Sequence, residues 1–238
     1  MIPPIRSMFI PDEGYTMWDL DLDSADLRIV TWESGAQWMK DCFAAGKKPY
    51  VELAKEYYHD PSITKRHKSY PAFKKFCHGT NYLGGGAEMA GQCGLLVNEA
   101  DRLQKWYFGV NPEIPKWQAE FVRRFKITGD VKNIFGNQTH FFDRIDDALV
   151  KKAIAWLPQS TIGLLINRIW ANIDENLSED VDVLLQVHDS LLGQYPTEKE
   201  EDILPRLEEQ THVVLPYGEP LIIPAGFKRS TISWGDCR

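Results

Sequence analysis

The stretch that most constrains this chain runs from Val183 to Tyr195, Val-Leu-Leu-Gln-Val-His-Asp-Ser-Leu-Leu-Gly-Gln-Tyr. Two apolar, strand-like runs flank a His-Asp-Ser turn, so backbone pairing pushes His188 and Asp189 to the tip of a hairpin. A carboxylate held there on rigid strands makes a good metal ligand. Asp also favours turns for its own sake, so this hairpin alone is equally an ordinary turn.

Far upstream, Tyr15 to Val30 supplies a second, carboxylate-rich stretch, read as a strand. Asp19, Asp21 and Asp23 alternate with Trp18, Leu20 and Leu22, which on a strand puts the acids on one face and the apolar residues on the other. The Asp-x-Asp-x-Asp spacing also opens calcium loops. Here it fails that pattern, with Ser24 in place of the Gly and Val30 in place of the final Glu. If the strand lies beside the hairpin, Asp21 and Asp189 meet and can hold divalent ions between them. Hard oxygen ligands without a Cys or His cluster favour magnesium or manganese over zinc.

The rest of the chain reads as mixed helix and strand. Arg6 to Ile10 is expected to be a strand, followed by a Pro-Asp-Glu-Gly turn. A short helical stretch after Arg28 leads to a boundary at Gly46-Lys-Lys-Pro49, and Pro49 to Tyr58 forms an amphipathic helix ending before Asp60-Pro61. Pro71 opens the next helix, where its missing N–H costs nothing, and Lys74, His78 and Tyr82 recur every four residues as one stripe. Gly84-Gly-Gly86 breaks it. Helices follow over Ala87 to Gly94, Asn98 to Phe108 and Glu113 to Lys126, then a hairpin over Val131 to Phe142. Asp143 to Leu177 is a long helical run that Pro158 should kink or break. An acidic helix around Glu198 to Gln210 and strands at Pro220 to Ile223 and Lys228 to Trp234 complete the chain.

With 238 residues, 43% hydrophobic and 26% charged, the composition is that of an ordinary soluble protein with room for a real core. No segment is long and apolar enough for a membrane span, the start is not a signal peptide, and a cytoplasmic location is expected. Cys42, Cys77, Cys93 and Cys237 are scattered and read as free thiols. A net charge of −7 sits awkwardly with nucleic-acid binding, but the charge is segregated. Basic clusters lie at Lys65 to Lys75, Arg123 to Lys126 and Lys151-Lys152, and acids dominate from Asp174 to Glu209.

Taken together, three segments resemble the motifs of family A DNA polymerases, the DNA polymerase I type. Asp21-Leu-Asp-Ser-Ala-Asp-Leu-Arg28 resembles motif A, Lys74-Lys-Phe-Cys-His-Gly-Thr-Asn-Tyr82 motif B, and Val187-His-Asp-Ser190 motif C, in the family's order. The His-Gly-Thr-Asn-Tyr form of motif B is more similar to phage-type members, so the expected setting is a bacterial or phage-infected host cytoplasm. The resemblance runs from about Arg6 to the C-terminus, which falls close to where the family ends. It implies an α+β fold: a polymerase palm, an antiparallel sheet with helices, carrying an inserted helical fingers subdomain. Residues 1–48 and 136–238 would form the palm and 49–135 the fingers.

The activity implied is template-directed nucleotidyl transfer from a dNTP to a primer 3′ hydroxyl. Asp21 and Asp189 would hold two magnesium ions, for which manganese can substitute, with the backbone carbonyl of Leu22 completing the site. Lys74 would contact the triphosphate and protonate the departing pyrophosphate. His78 would lie near base and sugar, Tyr82 beneath the base pair, and Asp26 would crowd a ribose 2′ hydroxyl. Arg28, Lys151, Gln159 and His188 would meet the primer-template DNA.

Four positions depart from the family pattern. Asp26 is one methylene shorter than the usual Glu, and His78 replaces Phe or Tyr. Tyr70 stands where an Arg commonly precedes the Lys, so Arg66 or Lys68 would supply a triphosphate contact. Ser190 replaces the acid after the catalytic Asp, with Asp23 as a compensating acid. The family's exonuclease-like domain, thumb and opening palm segment are not in this sequence. The expectation is a C-terminal piece of a longer polymerase, or half of a split enzyme whose docking surface includes Met1 to Ile5. The competing readings are a single-subunit RNA polymerase, a metal-dependent nuclease, and a non-catalytic nucleic-acid-binding remnant of a polymerase.

Overall fold

The structure, a computed structural model, describes residues 5–237. Of the expected docking segment, Met1 to Pro4 lie outside the described residues, and Ile5 is exposed. In chain order the elements are β1 (Tyr15–Leu22), α1 (Ala25–Ser34), α2 (Gln37–Ala44), α3 (Pro49–Tyr58), α4 (Tyr70–Asn81), α5 (Gly86–Cys93), α6 (Val97–Val110), α7 (Glu113–Thr128), β2 (Asp130–Lys132) and β3 (Gln138–His140). There follow α8 (Asp147–Leu177), β4 (Asp182–Val187), β5 (Ser190–Pro196), α9 (Glu200–Gln210), β6 (Val214–Leu215), β7 (Leu221–Ile222) and β8 (Ala225–Ser230). The fold is α+β, as expected. Among the described residues no helix is long and apolar enough to cross a membrane.

The chain divides into two compact units. The first takes the residues up to Asp26, the short segment Asn133–Asn137, and everything from Gln159 onward. Its centre is an antiparallel sheet in the order β4-β5-β1-β8. The two inner strands are buried on both faces, which their apolar content permits. One close approach requires glycine. Trp18 lies in register opposite Gly193, where a Cβ would come within 2.3 Å of both the Trp18 ring and the Asp182 carbonyl. Alongside the sheet, the later part of α8 is tied to α9 by Asn172 Nδ2, which donates to the Gln210 carbonyl at 3.2 Å.

The second unit, Leu27–Lys132 with Gln138–Pro158, is inserted between the segments of the first and is mainly helical. Its core gathers Leu27, Met39, Leu53, Phe73, Phe76, Leu103, Tyr107 and Ile114 from consecutive helices. Each helix has a local reason for its limits. Pro49 starts α3, where proline's fixed φ suits the first turn, and Gly94 and Gly129 end α5 and α7 in the left-handed conformation, each at φ 68°. Ile114, Gln118, Phe121 and Phe125 form the inward stripe of α7.

Several local expectations need correction. Ile5–Met8 is a 3-10 turn and not a strand; Ile5, Met8 and Ile10 stay exposed, and among the described residues the stretch receives from the Trp234 segment a backbone hydrogen bond, Trp234 amide to Phe9 carbonyl at 2.9 Å, with no ladder along its length. The Asp-rich strand stops at Leu22. Asp23 lies in the turn that follows, with Ser24 at φ 55°, and Ala25 already starts a helix. Pro71 is the second residue of α4, after Tyr70. Helix α8 runs through Pro158 unbroken, because proline removes one internal hydrogen bond while buried Ile154, Leu157, Ile162 and Leu165 keep both sides anchored. Strand β8 begins at Ala225, where its register with β1 starts, and the short β6–β7 pair was not anticipated at β6.

Candidate active site

Strand pairing brings the two predicted acids together. In the β1–β5 ladder Asp21 lies opposite Ser190, and Ser190 in turn closes the two-residue hairpin against Val187. The turn residues are His188 and Asp189, with His188 in the left-handed conformation at φ 55°. Ser190 Oγ donates to the Val187 carbonyl at 2.8 Å, bracing this turn. On the other side, the Leu22 amide donates to the Asp189 carbonyl at 3.3 Å and the Asp23 amide to the Pro224 carbonyl at 2.7 Å. Both acids therefore sit on backbone fixed by sheet pairing.

The electrostatics follow from that crowding. The Asp21 carboxyl titrates above its ordinary range, first through burial and then through the negative charges of Asp189, Asp19 and Asp23, which Lys228 only partly offsets. Asp19 has a different fate from Asp21 although both point to the same side of β1. It is 8% exposed, and its Oδ2 accepts the Trp234 indole N–H at 2.9 Å, with the Arg6 guanidinium 4.0 Å away. Arg6 in turn lies 4.3 Å over the Trp234 ring. Asp19 is thus consumed by structure, while Asp21, partly desolvated by its surroundings, still opens to solvent.

Among the described residues, no group of three or more His, Cys, Asp and Glu side chains is arranged to hold a metal. Two hard carboxylates, Asp21 and Asp189, stand instead beside the buried backbone of Leu22. Like-charge crowding that resists ionisation of Asp21 is the condition a divalent cation relieves, so the residues fit a magnesium-type ion.

In the helical unit, α4 carries the stripe that the spacing predicts. Lys74 and His78 are exposed, and the His78 and Tyr82 rings meet edge to face at 5.1 Å. Tyr82 is the residue just past the helix. The opposite face is locked down by buried Phe73, Phe76 and Cys77, with Phe73 6.0 Å from Tyr57 and 6.5 Å from Trp106.

The remaining predicted residues are distributed as follows. Asp26 is half-buried in the first turn of α1, and the Arg28 guanidinium stacks 4.0 Å over the Phe43 ring. Arg66 is exposed in a turn where its amide donates to Thr64 Oγ1 at 3.3 Å. Lys151 is ion-paired with Glu88 of α5, and both line a groove of about 600 Å³ with Leu83, Gly86, Val122 and Lys126. Gln159 and His188 are exposed. Sequence reasoning missed Trp234, Lys228, Asn81 and Gln118. Asn81 lies inside the stretch read as motif B, yet its buried amide gave no periodic signal.

Comparison with known proteins agrees with this architecture. A family model described as DNA polymerase family A matches residues 2–218. The thermostable DNA polymerase I of Thermus filiformis is 24% identical over 233 residues, 94% of this chain and 28% of its own length. The DNA polymerase of Mycobacterium phage D29 is 23% identical over 195 residues, 82% of this chain and 31% of its own. The chain thus spans less than a third of the length of these relatives. The POL domain of Pol1 from M. smegmatis, solved in complex with DNA primer-template and dNTP, superimposes with a TM-score of 0.85 at 19% identity, covering 98% of this chain and 43% of that one. That likeness establishes the fold, and the family match over most of the sequence establishes the kinship: the chain belongs to DNA polymerase family A.

Proposed function

We propose that this chain carries the catalytic centre for template-directed DNA synthesis, joining a dNTP to a primer 3′ hydroxyl. The observation that supports this most is the pairing of Asp21 with the Asp189 turn at one end of the sheet, within a family A sequence. Two magnesium ions held by Asp21, Asp189 and the Leu22 carbonyl would supply charge neutralisation for the primer oxygen and the triphosphate.

The chain's own groups have distinct tasks. Asp21 and Asp189 orient the site and, ionised, provide the negative charge that cations answer. Lys74, exposed on α4, neutralises the triphosphate and gives a proton to the pyrophosphate as the bond from the α-phosphorus to the leaving oxygen breaks. His78 and Tyr82, in ring contact, provide the surface for base and sugar. Asp26 limits space at the ribose 2′ position, and Arg66 adds a phosphate contact. Arg28, Lys151, Gln159 and His188 serve the primer-template; Lys151 would exchange Glu88 for a phosphate. Positioning and charge neutralisation account for most of the acceleration.

The thumb, and an exonuclease if there is one, would come from a further segment or a separate chain, which fits the chain's coverage of its relatives. Residues 1–48 and 136–238 would act as palm and 49–135 as fingers, in a bacterial or phage-infected cytoplasm. Single-nucleotide insertion assays with deoxy- and ribonucleotides test the reading. Strong preference for the deoxynucleotide is expected, and equal use of both would remove Asp26 from the role of sugar gate. Degradation of the primer in place of extension would favour a nuclease.

A further inference from the structure

The end of α4 is gripped by side chains that the proposed chemistry does not use. Past the helix, the Leu83 amide donates to the Thr80 carbonyl at 3.3 Å and the Gly84 amide to the Gly79 carbonyl at 2.9 Å, the pattern of a Schellman turn. This turn places one residue in the left-handed region, normally a glycine. Here that residue is Leu83, at φ 64°, where its Cβ is strained. The glycine one position later has its own reason, since a Cβ on Gly84 would come within 2.7 Å of both the Gly79 carbonyl and the Met89 sulfur.

Three amide side chains hold the turn. Gln118, buried on the apolar stripe of α7, donates from Nε2 to the Thr80 carbonyl at 2.7 Å and the Asn81 carbonyl at 3.0 Å. Both belong to the last turn of α4, where a helix end is short of internal donors; within the turn the Thr80 carbonyl receives only the longer bond from the Leu83 amide. Gln104 Nε2 of α6 donates to the Gly84 carbonyl at 2.7 Å. Asn81, fully buried, donates from Nδ2 to the Tyr50 hydroxyl at 3.1 Å and accepts the Tyr107 hydroxyl at Oδ1, 2.7 Å. A buried glutamine among Ile114, Phe121 and Phe125 is unfavourable unless its amide is bonded, so Gln118 is accounted for by the turn and by little else.

We propose that Gln118 is a positioning residue for Tyr82. Together with Gln104 and Asn81 it holds the strained turn at Leu83, so that Tyr82, lying between the clamped residues, keeps one orientation toward the incoming nucleotide. This rests on the polymerase reading above.

The test compares the full chain with Gln118→Leu, Leu83→Gly and the double variant, using amide hydrogen exchange over residues 79–84 and single-nucleotide insertion kinetics. Gln118→Leu should speed exchange at Leu83 and Gly84 and raise the dNTP KM about tenfold, with kcat changed by less than about threefold. Leu83→Gly alone should match the wild type. The double variant should recover most of the KM, because glycine removes the strain that Gln118 opposes. Should Gln118→Leu fail to fold, Gln104→Leu, at a half-buried position, must show the same KM shift in weaker form. Unchanged KM with faster exchange, or no recovery in the double variant, would overturn the positioning role while leaving the polymerase reading intact. A wild type that inserts nothing, either alone or combined with the remaining portion of a family A polymerase, while exchange still responds would instead bring down both the polymerase reading and the role of Tyr82.

Discussion

The backbone amide of Leu22 donates to the carbonyl of Asp189 at 3.3 Å, tying the last residue of one central strand to the turn that carries the second acid. Two carboxylates about 170 residues apart in sequence are thereby fixed side by side without help from either side chain. Their mutual repulsion is a cost that the fold bears in the absence of cations.

That cost has a measurable sign. Because burial and the neighbouring acids raise the Asp21 pKa in the folded chain, the folded state binds this proton more tightly than the unfolded state. Stability must then fall as pH rises from the ordinary carboxylate pKa through the raised one, and the full penalty persists at neutral pH. Asp21→Asn should unfold at a higher temperature than the wild type at about pH 7 without metal, with the gap closing below about pH 4. Millimolar magnesium should stabilise the wild type more than the variant. Thermal denaturation against pH, with and without magnesium, checks both; a less stable variant at neutral pH would contradict them.

Gly193→Ala should be among the most damaging single changes in the sheet. A methyl there meets the Asp182 carbonyl and the Trp18 ring at 2.3 Å, both held by neighbouring strands. A loss of about 1–3 kcal/mol or more is expected. Chemical denaturation measures it, and a change under about 0.5 kcal/mol would show that the strands can shift.

Trp234→Phe keeps most of the ring but removes the indole N–H that Asp19 accepts. Leaving that buried carboxylate short of a partner should cost about 1–3 kcal/mol. Adding Asp19→Leu to it should recover part of the loss; the absence of any recovery would mean that ring packing, against Phe9 and Arg6, dominates.

Lys74→Ala should separate stability from function. The side chain is exposed, so unfolding should move by no more than about 0.5 kcal/mol. Nucleotide insertion should fall by on the order of a hundredfold, in keeping with loss of one charged group aimed at a transition state. Undiminished insertion would take Lys74 out of the mechanism.

Much of this molecule was legible because its signals are local. The His188-Asp189 turn between apolar runs, Pro49 at a helix start and Gly94 at a helix end each encode a backbone choice within a few residues. The meeting of Asp21 and Asp189 was expected on the condition that the strand lay beside the hairpin, and the β1–β5 pairing meets that condition. What stayed hidden depends on distant partners. Asp19 looks equivalent to Asp21 in sequence, and it is contacts from distant residues, the Trp234 indole 215 residues away among them, that engage one and not the other. Gln118 reads as a polar interruption of an apolar stripe until its carbonyl partners, 37 and 38 residues earlier, are seen. Arg6 to Ile10 has strand-like composition, but a strand needs a neighbour along its length, and among the described residues the Trp234 segment offers it one rung, at Phe9.

The most direct test of the account is primer extension in magnesium by the purified chain, alone and combined with the remaining portion of a family A polymerase, with Asp189→Ala as the comparison. The account predicts dNTP-dependent extension that Asp189→Ala lowers by on the order of a hundredfold or more while DNA binding is retained. Extension unaffected by Asp189→Ala, or none under either condition despite tight DNA binding, would contradict it.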